Sequence, residues 1–356
     1  MKPRVSNVIG AWIVVCVLGR GIQAEIRYSL TDIGTFSGYC SVGASINNLG
    51  QVAGWSAYPD ESTHAFFYNG MNLQDLGTLG GYDSRAFGLN DKGQVVGTSY
   101  PASATTPHAF LWEGDGLVDL NWEPLYVSTA YSINNSSAIA GGGWGESSWG
   151  FPVIWKENTA FLYEGLNGGI SEINDSGQFV GAYTPDGTIG CHAYFVDSNV
   201  LWDLGTLGGT SSQSTAINGF GLVVGYTEVV PGDDTQHPFL WKKGGQMLDL
   251  GVPSGCTTAC PKDINNLGQI VGYGGVEISD SICGFLYENG TINNLNDLIS
   301  PDSGWQITSA FSINDIGQIT GEGIFMGKKH AYIMNPVPEP SSMIISVFLL
   351  WISRKT

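Results

Sequence analysis

The chain has 356 residues, a formal charge of -18 and only 14 Lys plus Arg. So acidic a protein repels phosphate backbones, which argues against nucleic acid as a partner. With 51 Gly, 42% hydrophobic and 12% aromatic residues, it is neither collagen-like nor disordered, and its glycines imply many turns.

The N-terminus carries Lys2 and Arg4, an apolar run from Val8 to Leu18, and "GRGIQA" ending at Ala24. This order is that of a secretory signal, so residues 1–24 are expected to be removed by signal peptidase after Ala24. The run is too short for a membrane span, which needs about 20 residues. Cys16 follows Val15 rather than a small residue, which favours ordinary cleavage over lipidation. Export permits disulfides among Cys40, Cys191, Cys256, Cys260 and Cys283, and their odd number leaves at least one thiol unpaired. Cys256 and Cys260, in "GCTTACP", are close enough in sequence for a local bridge that staples a loop. No second His/Cys pair stands at zinc-site spacing, so no metal site is expected.

From Ile46 onward one motif recurs: "INNLGQVAG", "LNDKGQVVG", "INNSSAIAG", "INDSGQFVG", "INGFGLVVG", "INNLGQIVG" and "INDIGQITG". Its asparagines are Asn47, Asn90, Asn134, Asn174, Asn218, Asn265 and Asn314. A repeat of this length signals stacked supersecondary units. A second motif follows each copy: "HAFFY", "HAFLW", "FPVIW", "HAYFV", "HPFLW", "CGFLY" and "HAYIM". All the histidines of the chain (His64, His108, His192, His237 and His330) lie at this one repeat position. Copies spread around an array cannot converge on one catalytic centre, so each is expected to make a local hydrogen bond at a strand start. A third motif, "DLGTLGG" at Asp75 and Asp203, has weaker forms at Asp32 and Asp249. Together these repeats resemble the bacterial extracellular HAF-repeat family over nearly the whole mature chain. The resemblance implies an exported β-repeat protein and carries over no catalytic residue.

Each period holds short strand candidates separated by turn signals; in the second copy they are 84–90, 94–99, 108–113 and 117–120. Four antiparallel strands per repeat predict an all-β, seven-bladed β-propeller over residues 25–335. The position four before the repeat asparagine is small in Gly43, Ala86, Ala130, Ser214 and Ala310, and the position two before it in Ser45, Gly88, Ser132, Ala216 and Ser312. Small residues there suit an innermost strand crowded at the axis. The chain opens with a fourth-strand segment, "YSLTDIG", and ends with a third-strand one, so the N-terminal strand is expected to close the last blade and hide both sheet edges. The alternative is an open β-solenoid with capped ends.

Residues 336–356 hold Val337, Pro338, Glu339 and Pro340, an apolar run from Met343 to Ile352, and basic Arg354 and Lys355. This tail resembles the PEP-CTERM sorting signal, which implies transient membrane association and removal by an exosortase-type enzyme. Its basic end fits the positive-inside rule. Its apolar run, as a helix of about 15 Å, falls short of the bilayer's hydrocarbon thickness of about 30 Å.

No G-x-S-x-G, H-E-x-x-H or Walker motif occurs, and acidic residues are scattered through turns. The expected function is therefore that of a non-enzymatic cell-surface or extracellular-matrix module binding glycan or protein. The alternative is a polysaccharide lyase or hydrolase with its site on one propeller face. The loops between second and third strands vary most and fall on one face, where repeat proteins place binding. Candidates there are Trp144 and Trp149, which offer stacking surfaces, and Asp60, Asp233 and Asp234. These aspartates offer oxygens to calcium, which takes about 6 to 8 ligands, but solvated charge is their default reading and no cofactor is expected.

Overall fold

The computed structural model describes residues 27–338 except 38, 103, 123–124, 146–149, 158, 164–165, 233–234 and 277–281. Alternating apolar positions and glycine turns organise them into seven four-stranded antiparallel sheets. Blades 1 to 6 span 40–75, 80–119, 127–162, 168–205, 212–249 and 258–294. Blade 7 takes three strands, Trp305–Ile313, Ile319–Phe325 and Lys328–Pro336, and receives Tyr28–Gly34 as its fourth. The N-terminal strand pairs antiparallel with Lys328–Pro336, from Tyr28 opposite Pro336 to Gly34 opposite Ala331. The chain is thus a seven-bladed propeller closed by its own N-terminal strand. In blade 2 the expected strands appear as Gly80–Leu89, Val95–Pro101, His108–Trp112 and Leu117–Asp119.

The repeat asparagine explains why blades sit side by side. Its side-chain amide donates to the backbone carbonyl of the next repeat asparagine, from Asn47 to Asn90 and onward to Asn265 and Asn314. Asn314 returns the bond to Asn47, completing a circle of seven. In each copy the Oδ1 atom also accepts the amide two or four residues ahead, as Asn47 does from Leu49 and Gln51 at 3.1 and 3.0 Å. One buried side chain therefore shapes its own hairpin and clasps its neighbour. The turn ends on a glycine in most copies, such as Gly93 at φ +77°, where a side chain would be strained.

The histidines tie third strand to fourth. His108 Nδ1 lies 2.8 Å from Asp119, and His64, His192, His237 and His330 meet Asp75, Asp203, Asp249 and Asp32 in the same way. The aspartate also accepts a backbone amide two residues on, as Asp75 does from Gly77 at 2.7 Å. A serine from the following blade adds a third tie: Ser128 Oγ accepts the amide of Ala109 at 2.9 Å. His, Asp and Ser are thus joined in a latch within and between blades, with each serine bound to backbone rather than to the imidazole.

Between blades, apolar side chains from facing sheets form the core in seven clusters, with Phe66, Phe110, Phe239 and Phe285 fully buried. The small residues four before each asparagine belong here: Ala86, Ala130 and Ala310 are completely buried. This corrects the expectation that they crowd the axis.

Candidate functional site

What does face the axis is the residue three before each asparagine. In every blade the register between first and second strands slips at this point, skipping one residue. Such a bulge leaves a residue unpaired and re-aims its side chain. The skipped residues are Ala44, Phe87, Tyr131, Ser171, Thr215, Lys262 and Phe311, and all of them line the central channel. The scaffold enforces the bulge from the opposite strand. A Cβ on Gly97, the closing glycine of "GQVVG", would collide with the carbonyl of Arg85, and the corresponding glycine meets the same obstacle in every blade.

These bulge residues divide the channel. Above them opens a funnel of about 680 Å³, lined also by Trp55, Trp144, Gln213 and Thr184. Its rings are neighbours: Trp55 and Phe87 lie 6.0 Å apart between centroids, and Phe87 and Tyr131 5.7 Å. Tyr131 and Trp144 remain 38% and 40% exposed, so their faces are available to a ligand. The Arg85 guanidinium stands over Trp55 and the Lys262 ammonium over Tyr273, at 5.8 and 5.3 Å from the ring centroids.

Below the bulge ring a polar cavity of about 310 Å³ is rimmed by the residues that follow the repeat asparagines. Asn48, Asp91, Asn135, Asp175, Asn266 and Asp315 join around this mouth, with Asn135 donating to both Asp91 and Asp175 at 3.1 and 3.0 Å. Gly219 interrupts the succession.

The two copies that lack a small residue two before the asparagine carry half-buried carboxylates there, Glu172 and Asp263. Glu172 accepts the amide of Ile217 at 2.6 Å, and Asp263 accepts the amide of Ile313 and the hydroxyl of Ser312 at 2.8 and 2.7 Å. Burial, then the charge of Asp263, holds the Glu172 carboxyl well above its ordinary value. Burial also raises Asp263, against the hydrogen bonds it accepts. Among the described residues, no group of three or more His, Cys, Asp or Glu is arranged to hold a metal ion.

The sequence-derived candidates divide by location. Trp144 lines the funnel. Asp60 sits in the blade 1 loop on the same face, where its carboxylate accepts the Ser62 hydroxyl at 2.7 Å and closes a local turn. Trp149, Asp233, Asp234, Ala24, Glu339 and Pro340 lie outside the described residues, while Val337 and Pro338 follow the last strand directly. The staple expected between Cys256 and Cys260 is not the arrangement found. Cys260 lies buried in Thr258–Ile264 with its thiol toward the Pro261 carbonyl, whereas Cys256 Sγ is 3.6 Å from Cys283 Sγ. The extended backbone, at about 3.3 Å per residue, carries Cys260 away from the preceding loop. Cys283 occupies the repeat position held by histidine in five other copies, and burial followed by the Cys256 contact pushes its thiol up to about 12.

Sequence reasoning missed the bulge ring. Its signal was a position that varies from Ala to Phe, Tyr and Lys between two small ones, within a motif that is otherwise repeated.

Comparison with known proteins bears on the fold. A family model described as a protein of unknown function (DUF3466) matches residues 210–337, which are blades 5 to 7. No curated protein sequence matches the chain. Among solved structures, the β-propeller domain of the Trilobed protease from Pyrococcus furiosus is similar at TM-score 0.56 and 8% identity, over 88% of this chain and 98% of that one. That domain is described as having an open velcro topology, in contrast to the strand closure here. Virginiamycin B lyase from Staphylococcus aureus matches at TM-score 0.52 and 12% identity, over 87% of this chain and 100% of that one. YCF48 bound to a D1 peptide matches at 0.53 and 9%, over 88% and 96%. At such identities the likeness is one of fold.

Proposed function

We propose that this protein is an exported, non-enzymatic binding module of the bacterial cell surface or extracellular matrix, and that its axial funnel takes a glycan. The observation that carries this reading is the convergence of Trp55, Phe87, Tyr131, Trp144 and Phe311, from blades 1, 2, 3 and 7, on one open cavity. Flat aromatic faces stack on the C–H faces of sugar rings, while a few polar groups fix orientation. Gln213, Thr215, Ser171 and Thr184 supply such groups beside the rings. In this reading, signal peptidase removes residues 1–24 and an exosortase-type enzyme acts on the tail after transient membrane association. The partners outside the cell are polysaccharide or glycosylated surface protein.

A second reading, a polysaccharide lyase or hydrolase, draws on the half-buried Glu172 and Asp263. Both carboxylates, however, already accept backbone amides from the next blade, which gives them a structural task. A glycan array probed with the parent and with Trp144→Ala, alongside an assay for reducing ends and unsaturated products, separates the readings. Binding weakened by Trp144→Ala without product formation supports the module. Sustained turnover assigns the funnel to an enzyme, and no binding to any glycan removes the proposal.

A further inference from the structure

The hairpin tips at the lower end of the channel are not alike. Two residues past the repeat asparagine stand Phe220, Leu267, Ile316 and Leu49, which are 78%, 70%, 62% and 67% exposed. They belong to blades 5, 6, 7 and 1, which are consecutive around the closed ring. The other blades place Lys92, Ser136 and Ser176 at the same position. One side of the lower rim is therefore an arc of large apolar side chains, each at the apex of a turn where it contributes nothing to the core. Solvent exposure of this kind, gathered in one arc, marks an interaction surface.

The chain leaves the propeller from this arc. The last strand, Lys328–Pro336, ends beside the blade 7 tip: Gln318 donates to Asn335 at 2.7 Å, and a Cβ on Gly317 would lie 3.4 Å from the Pro336 ring. The apolar run Met343 to Ile352 and the basic Arg354 and Lys355 follow within a few residues. The linker from Val337 to Met343 reaches about 20 Å when fully extended, so whatever holds the run also holds the lower face close by. A run too short to span a bilayer binds it weakly by itself, and stable attachment generally takes a second contact.

We propose that the lower face rests on a lipid surface, with Phe220, Leu267, Ile316 and Leu49 entering the headgroup region as that second contact. This goes beyond the glycan reading and is independent of it, though it rests on the tail being membrane-seeking. The arrangement turns the aromatic funnel, at the opposite end of the channel, away from the membrane. Asp315 within the arc, and Asp91 and Asp175 across the same channel mouth, disfavour anionic headgroups, so the surface in question is zwitterionic.

Flotation of the full chain with phosphatidylcholine vesicles tests the proposal. The parent is expected to float, and the variant Leu49→Ser, Phe220→Ser, Leu267→Ser, Ile316→Ser to partition about tenfold less with an unchanged melting profile. In a second measurement, brominated acyl chains should quench the added fluorescence of Phe220→Trp but not of Ser176→Trp. Equal flotation of parent and arc variant, or equal quenching at both positions, overturns the proposal while leaving the tail reading intact. Failure of the parent to float overturns both. Self-association of the parent that the serine substitutions abolish assigns the arc to a second copy of the chain, and likewise overturns it.

Discussion

Asn314 donates its side-chain amide to the backbone carbonyl of Asn47 over 2.9 Å, across 267 positions of sequence. That bond completes the circle of asparagines and makes the first and last complete hairpins neighbours. Replacing Asn314 with Ala removes it, along with the bonds to Gln318 at 2.8 and 2.9 Å. Since buried groups are left unsatisfied, the expected loss is about 2 to 4 kcal/mol, read from urea unfolding.

Closure also depends on the N-terminal strand, whose Asp32 meets His330 at 2.9 Å. Deleting Tyr28–Gly34 bares the edge of Lys328–Pro336, and exposed edges recruit other chains. The truncated protein is expected to melt at lower temperature and to self-associate in size-exclusion chromatography. A monomer with the parent's melting profile would show that the strand is dispensable.

Much of this was legible in the sequence, for identifiable reasons. Asn47 and its copies recur because each makes the same bonds, so blade number followed from counting them. The order of strand types at the two ends revealed how the ring closes. The bulge residues were not legible: Phe87, Tyr131 and Lys262 share no side-chain chemistry, and only pairing register shows that they point inward. The nearness of Cys256 to Cys283 was hidden likewise, because it arises from a loop and a strand start brought together across 27 positions.

Oxidation provides a direct check on that pair. Treated with oxidised glutathione, the folded protein should lose two thiol hydrogens and yield a peptide linking Cys256 to Cys283, with glutathione reduced in exchange. Cys283→Ser should abolish the link and Cys260→Ser should leave it. A peptide joining Cys256 to Cys260 would restore the expectation drawn from spacing alone.

Glu172 predicts a pH dependence. Its folded carboxyl holds a proton above the ordinary value of 4.5, so the native state binds more protons than the unfolded chain once pH passes that point. Its contribution therefore makes stability fall as pH rises from about 4.5 toward the raised folded value. Glu172→Gln keeps an oxygen for the Ile217 amide and removes the buried charge. It should raise the urea midpoint relative to the parent at pH 8 and leave it nearly equal at pH 4. A variant no more stable at pH 8 than the parent would mean that the buried charge is not destabilising.

In the proposed function, the bulge residues, aimed at the axis by a repeated scaffold, form the binding surface. The most direct measurement is isothermal titration of a glycan bound by the parent against Phe87→Ser, Tyr131→Ser, Phe311→Ser, with melting followed in parallel. The account predicts that binding falls by about two orders of magnitude, as loss of several stacking contacts entails, while the melting temperature stays within a few degrees. Unchanged affinity in the triple variant would contradict it and move the site off the axis.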